Sequence, residues 1–135
     1  MKKTSCIPVV ICVLFGVSLL MGVHDQEQCE EVVCPTGHYE APGTADVYLD
    51  LVTQTGGVNG TWHTVVAGQE MVFTISGWSS GEGVHVTAEW SEGTSPACSN
   101  YFWEMTANTE CTELTGERCC SETGLCRDTY YVLAQ

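Results

Sequence analysis

The sequence predicts an all-β protein organised as an antiparallel β-sandwich, and three observations carry that expectation. Apolar and polar residues alternate with period two in several short segments, which is the mark of a half-buried strand. Glycine-rich turns separate those segments at close intervals. No heptad pattern, internal repeat or low-complexity tract competes with them, and short strands joined by glycine turns are the pattern of a sandwich.

Residues 1–22 read as a secretory signal peptide. Lys2 and Lys3 precede an apolar run from Ile7 to Leu20, then Met21, Gly22 and a polar stretch. A basic front and a short apolar run are the order of a cleaved signal. The expected cut follows Gly22, with Ser18 as the alternative, and it removes Cys6 and Cys12. No later stretch approaches the roughly 20 apolar residues of a membrane-spanning helix, so the mature chain is expected to be exported without a span.

Residues 23–43 are polar, carry Cys29, Cys34, Pro35 and Pro42, and show no sustained period. They read as an N-terminal segment pinned by a disulfide. Residues 44–135 form the expected sandwich. In "ADVYLDLVTQ", Val47, Leu49 and Leu51 alternate with Tyr48, Asp50 and Val52. "TGGVNG" reads as a turn, and Asn59-Gly60-Thr61 is an N-glycosylation acceptor expected in an exposed loop. "TWHTVV", "MVFTISGW" and "VHVTAEW" continue as strands, with "AGQE" and "SSGEG" between them. "NYFWEMT" and "TYYVL" complete the set through aromatic and branched residues that favour strands. Residues 98–126 read as a cysteine-rich loop inserted before the last strand.

Cutting 22 residues from 135 leaves 113, enough for one domain with its own core. The full chain carries a formal net charge of −13, which becomes −15 once Lys2 and Lys3 are removed, since only Arg118 and Arg127 then face 17 acids. Nucleic acid is a poor partner for such a surface, because phosphate binding needs basic groups. Cations and basic surfaces are attracted to it, and self-repulsion makes it favour salt.

Cys29, Cys34, Cys98, Cys111, Cys119, Cys120 and Cys126 remain after cleavage, and in an exported chain of this size they read as disulfides. Structural zinc is the competing reading, but zinc sites favour two close Cys/His pairs and only the C-terminal cluster is dense. Seven is odd, so one thiol stays free or joins a second chain, and a disulfide-linked homodimer is the sharper expectation. A bond between the adjacent Cys119 and Cys120 is geometrically strained, so they are expected to reach different partners.

Gly77, Ser79 and Gly81 spell G-x-S-x-G, the nucleophile elbow of serine hydrolases. That motif needs a helix after the serine and an acid and a histidine later in the chain. A strand follows instead, and no histidine occurs after His85. The stretch is expected to be a hairpin turn, with Trp90 as a core anchor, and no enzyme is expected. Of the histidines His24, His38, His63 and His85, only the last two lie in expected strands, without a diagnostic metal spacing. No D-x-D-x-D-G loop exists, so weak, diffuse calcium binding is the most that the acids suggest. Neither cofactor nor tight metal site is expected. The consecutive Tyr101, Phe102 and Trp103 offer a platform, and Tyr101 and Trp103, sharing one strand face, are its expected binding residues.

In "VVAGQEMVFTISGWSSGEGVHVTAEWSEGTSP", Val65 or Val66, Gly68, Val72 and Phe73 are followed by Trp90, Glu92, Gly93 and Thr94. This resembles a PKD repeat, the Ig-like sandwich of polycystins, with "RDTYYVLAQ" similar to its final strand. Ser91 and Glu92 depart from the family's W-G-D-G-T. Cys34, Pro35, His38, Pro42 and "AGQEMVFTISG" show a second, slighter similarity to the reeler domain. Both resemblances imply an Ig-like extracellular sandwich and carry no catalytic residues. The functional expectation is a secreted acidic binding or adhesion module for an extracellular protein or glycan. The alternatives are an acidic or mineral matrix protein with weak calcium binding, and a secreted cysteine-rich toxin or inhibitor acting through the 98–126 loop.

Overall fold

The computed structural model describes residues 33–134, so Cys29, His24 and the signal segment lie outside the described residues. Eight strands follow in chain order: β1 (Gly37–Glu40), β2 (Tyr48–Gln54), β3 (Gly57–Val66), β4 (Gln69–Ser80), β5 (Gly83–Gly93), β6 (Asn100–Ala107), β7 (Glu113–Cys120) and β8 (Cys126–Leu133). Each pairs antiparallel with its sequence neighbours, and β1 pairs with β8. The sheet therefore closes on itself as an up-and-down barrel.

This overturns the Ig-like sandwich. Period-two alternation is common to both architectures, because each buries one face of every strand. The difference lies in β1 and β7, which the alternation did not reveal. β1 is short, but it meets β2 through Gly37–Glu40 and β8 through Tyr39 and Glu40. β7 falls within the supposed cysteine-rich insertion, which is in fact wall. Its inward residues are Leu114, Gly116, Arg118 and Cys120, a set whose glycine and arginine hide the apolar rhythm.

The turns are narrower than the glycine content suggested. Thr55-Gly56 joins β2 to β3 and Ala67-Gly68 joins β3 to β4, all four with positive φ. Two such residues make the I′ turn, whose twist matches that of the flanking strands. "GVNG" beyond Gly56 is strand. Asn59 thus stands exposed on the outer wall of β3, opposite Val52 and Ser76, and not in a loop. At Gly60, Gly77 and Gly116 a Cβ would run into the carbonyl oxygen of Asp50, His85 and Glu104 respectively. These inward glycines let the strands bend tightly enough to close.

The interior is packed with side chains. Tyr39, Leu49, Phe73, Ile75, Trp103 and Leu114 are each essentially inaccessible. Trp62 lies at the centre of the aromatic layer, 4.7 Å from Phe73, 5.1 Å from Trp103 and 5.6 Å from Tyr101. Offset and edge-to-face rings at these separations gain about 0.5–1.5 kcal/mol each beyond their burial. Trp90 is only part-buried against this layer, so the core is centred on Trp62 and Trp103.

Disulfides secure both ends. Cys34–Cys111 spans 77 residues and lies buried where the chain enters β1, with Tyr39 Oη donating to the Cys111 carbonyl at 3.3 Å. Constraining so long a loop contributes about 4.5 kcal/mol in the chain-entropy account. Cys98–Cys120 and Cys119–Cys126 brace the opposite end, where β5 passes to β6 and β7 to β8. The adjacent Cys119 and Cys120 do reach different partners.

Candidate functional site

Directly opposed residues on antiparallel strands share a face. The register therefore lays out the outer wall in rows. One row runs Trp78, His85, Glu104, Glu117 and Asp128 across β4 to β8. The next runs Ser76, Thr87, Phe102, Cys119 and Cys126. Between the first three strands of these rows lies a groove of about 240 Å³, bordered by Ser76, Trp78, His85, Thr87, Phe102 and Glu104.

Large aromatic side chains on a soluble wall are normally turned inward, yet Trp78 is 58% and Phe102 49% exposed. Trp78 is held in place by stacking on His85, with ring centroids 5.4 Å apart and planes inclined by 28°. His85 Nδ1 lies 3.4 Å from Glu104 Oε2, which orients the imidazole in turn. The Thr87 hydroxyl donates to the Ser76 carbonyl at 3.3 Å across the groove floor. These side chains stand on three neighbouring strands of a closed sheet, each paired on both sides, a rigid support that holds apolar rings and polar groups in register.

Beyond Glu104 the row is purely acidic. Glu104 faces Glu117, and Glu117 faces Asp128, with all three exposed. Like charges directly opposed on neighbouring strands are destabilising. Of the chain's 17 acids, Asp25, Glu27, Glu30 and Glu31 precede residue 33, so 13 are described, and none is buried.

The two arginines do not neutralise the wall. Arg118 points into the barrel, its guanidinium carbon 4.5 Å from the Trp62 centroid, 5.0 Å from Tyr101 and 5.3 Å from Trp103. Burial lowers its pKa, against the partial opposition of the Tyr131 and Tyr101 hydroxyls. Its Nε has no hydrogen-bond partner among the described residues, so the aromatic faces are its main compensation. Arg127 stands opposite Arg118, exposed at the rim. Among the described residues the outer wall thus bears no lysine or arginine.

A second polar group lies on β1 to β3. His38 Nδ1 is 2.6 Å from Asp50 Oδ1, and its Nε2 is 3.2 Å from Glu40 Oε2. The hydrogen bond to Asp50 is the main cause of a raised His38 pKa, with burial opposing it and Glu40 adding to it. Tyr48 stacks on His63 at 4.3 Å and leans on His38 at 4.7 Å. The imidazoles of His38 and His63 are thereby separated by a phenol ring.

The expected platform residues lie elsewhere. Trp103 is fully buried, with its indole Nε1 donating to Thr129 Oγ1 at 2.9 Å, and Tyr101 is half-buried against the core. Phe102 is the member of the trio that faces out. The signal was in the sequence: Trp103, Met105 and Ala107 share one parity, while Phe102 shares the other with Glu104 and Thr106. Charged neighbours mark the outer face.

Ser79 sits in β4, not in a turn, with its side chain buried. The next element is a strand, as the elbow motif cannot accommodate. All six described cysteines are oxidised, so the sulfur and carboxylate groupings around Cys98–Cys120 and Cys119–Cys126 offer no thiolate to a metal. No helix among the described residues is long and apolar enough to cross a membrane. The wall is mainly polar outside, with scattered exceptions such as Val52, Trp78 and Phe102, and mainly apolar inside, the reverse of the pattern in barrels that span lipid.

The class defined by fold and surface is an acidic, disulfide-braced, eight-stranded up-and-down β-barrel. No protein-family description, curated protein or solved structure matches the chain.

Proposed function

We propose that this chain is a secreted binding module of the extracellular space that engages a protein or glycan through the outer wall of β4 to β8, without catalysis. The single observation that carries this reading is the exposure of Trp78 and Phe102 in one groove beside Glu104 on a rigid sheet. Exposed aromatic rings with adjacent polar groups are what recognition surfaces use. The three disulfides are typical of the oxidising extracellular setting and support export, as does the basic and apolar order of residues 1–22.

The test is a screen of immobilised mature protein against ectodomain and glycan panels, repeated with Trp78→Ala. Ligands retained by the wild type and lost by the variant support the reading. An identical profile for both proteins removes the groove from it.

The acidic row favours one alternative, weak calcium binding by Glu104, Glu117 and Asp128. Calorimetric titration to millimolar calcium tests it, and a heat signal unchanged in Glu117→Gln counts against it. The toxin-like alternative draws on residues 98–126, a segment that holds β6, β7 and the connection to β8 in the barrel wall.

A further inference from the structure

The partner's chemistry follows from the charge of the wall around the groove. We propose that the groove and the acidic row beside it dock an extended, arginine-bearing segment of a basic polypeptide; this rests on the binding-module reading above.

The first argument is complementarity. Glu104, Glu117 and Asp128 are consecutive carboxylates in a cross-strand row, and no arginine or lysine of the outer wall faces them among the described residues. A cationic partner relieves repulsion that the free protein carries. A neutral sugar stacked on Trp78 leaves it in place, and a sulfated or phosphorylated partner increases it. The second argument is the combination of charge with aromatic faces. Guanidinium groups bind both carboxylates, in a fork, and indole or phenyl faces. The protein already uses that chemistry on itself, where Arg118 lies among Trp62, Tyr101 and Trp103.

The third argument concerns the mode of docking. β4 to β7, the strands that carry the groove and most of the acidic row, are each hydrogen-bonded on both sides, so a partner cannot join there by adding a strand. Recognition falls to side chains on the wall. From Trp78 to Asp128 the row crosses four strand intervals, about 19 Å at the usual spacing between strands, and an extended peptide covers that length in about seven residues. Basic side chains at alternate positions then meet Glu104, Glu117 and Asp128, while one lies over Trp78 or Phe102.

The experiment uses the mature full-length protein, an eight-residue peptide alternating Arg and Gly, its Lys counterpart, and a panel of neutral oligosaccharides. Binding is measured at low and moderate salt. The Arg peptide is expected to bind, and to weaken about tenfold in Glu104→Gln/Glu117→Gln, with a shallower salt dependence. Trp78→Ala is expected to cost about three- to tenfold toward the Arg peptide and less toward the Lys peptide, since guanidinium stacks where ammonium does not. Asp46→Asn/Glu70→Gln removes the same net charge on the β1–β2 connection and at the start of β4, outside the row, and is expected to change binding little.

Equal losses from the two double variants overturn the proposal, because they indicate diffuse attraction only. An unchanged affinity in Trp78→Ala overturns it as well. Oligosaccharide binding that Trp78→Ala abolishes, without peptide binding, overturns the basic partner and leaves the binding-module reading intact. Peptide and sugars both failing while the ectodomain screen succeeds has the same meaning.

Discussion

The guanidinium carbon of Arg118 lies 4.5 Å above the ring of Trp62, so one of the chain's two arginines is held inside the barrel. Tyr101 and Trp103 complete the enclosure. This single contact links the packing of the core to the charge of the surface, because every cation sequestered within leaves the acidic wall less balanced.

Replacing Arg118 tests the interior half of that relationship. Arg118→Ala removes both the cation–π contacts and the aliphatic stem that fills space beside Trp62. A loss of about 2–4 kcal/mol is expected in urea denaturation. Arg118→Met keeps much of the volume and removes a partly desolvated charge, so it is expected to lose far less. If Met proves as damaging as Ala, the charge and not the volume governs the site.

The tryptophans separate core from wall. Trp103→Ala deletes a fully buried ring together with its bond to Thr129 and is expected to cost about 3–5 kcal/mol. Trp78→Ala deletes a largely exposed ring and is expected to cost less than about 1 kcal/mol. Thermal melts of the two variants measure the contrast, and a comparable drop in both contradicts the orientation of β4 and β6.

The buried disulfide tests closure of the barrel. Cys34→Ala/Cys111→Ala is expected to lower stability by about 4 kcal/mol, the largest effect of the three bridges among the described residues, since its loop of 77 residues is the longest of these. Cys119→Ala/Cys126→Ala, closing only seven, is expected to cost about 2 kcal/mol. Chemical denaturation of each pair gives the order. A reversed order means that β1 is held by its strand pairing alone.

His38 supplies a pH dependence. Its folded-state pKa is raised above 6.5, chiefly by Asp50, so the folded state holds the proton more tightly than the unfolded one. The resulting stabilisation is fully present below pH 6.5 and is lost as pH rises through the raised folded value. The pair is exposed, with side-chain accessibilities of 40% and 51%, so the effect is small. NMR titration is expected to place the His38 midpoint above 6.5, and Asp50→Asn to return it toward that value.

Tyr39 behaves alike at the alkaline end. Burial pushes its pKa up to about 12, so its contribution holds below the ordinary value of 10.0 and fades as pH approaches 12. Ultraviolet titration is expected to show a late-ionising phenol contributed by Tyr39, beside those of Tyr131 and Tyr48, which burial also raises. Its absence in Tyr39→Phe identifies the group.

Much of the wall was legible in the sequence. Inward residues such as Leu49, Leu51, Phe73, Ile75, Val84 and Val86 recur at period two because each strand has one face in the core and one in water. The same rhythm located β2 through β6 and the end of β8, although it began β3 at Thr61 instead of Gly57 and ended β4 before Ser79. It failed at β1, which is four residues long, and at β7, whose inward side carries Gly116 and Arg118. Of the site, the acidity and the aromatic run were visible, but the parity that turns Phe102 outward and Trp103 inward was read the wrong way round.

By itself, then, the sequence determined an all-β, acidic, cysteine-braced chain, since alternation, charge and cysteine spacing are local properties. Only the tertiary structure decided between sandwich and barrel. That choice depends on whether the first strand pairs with the last, a contact between Tyr39 and Leu133 that no local pattern encodes. The same closure selected the disulfide partners and brought Trp78, Glu104 and Asp128, distant along the chain, into one row.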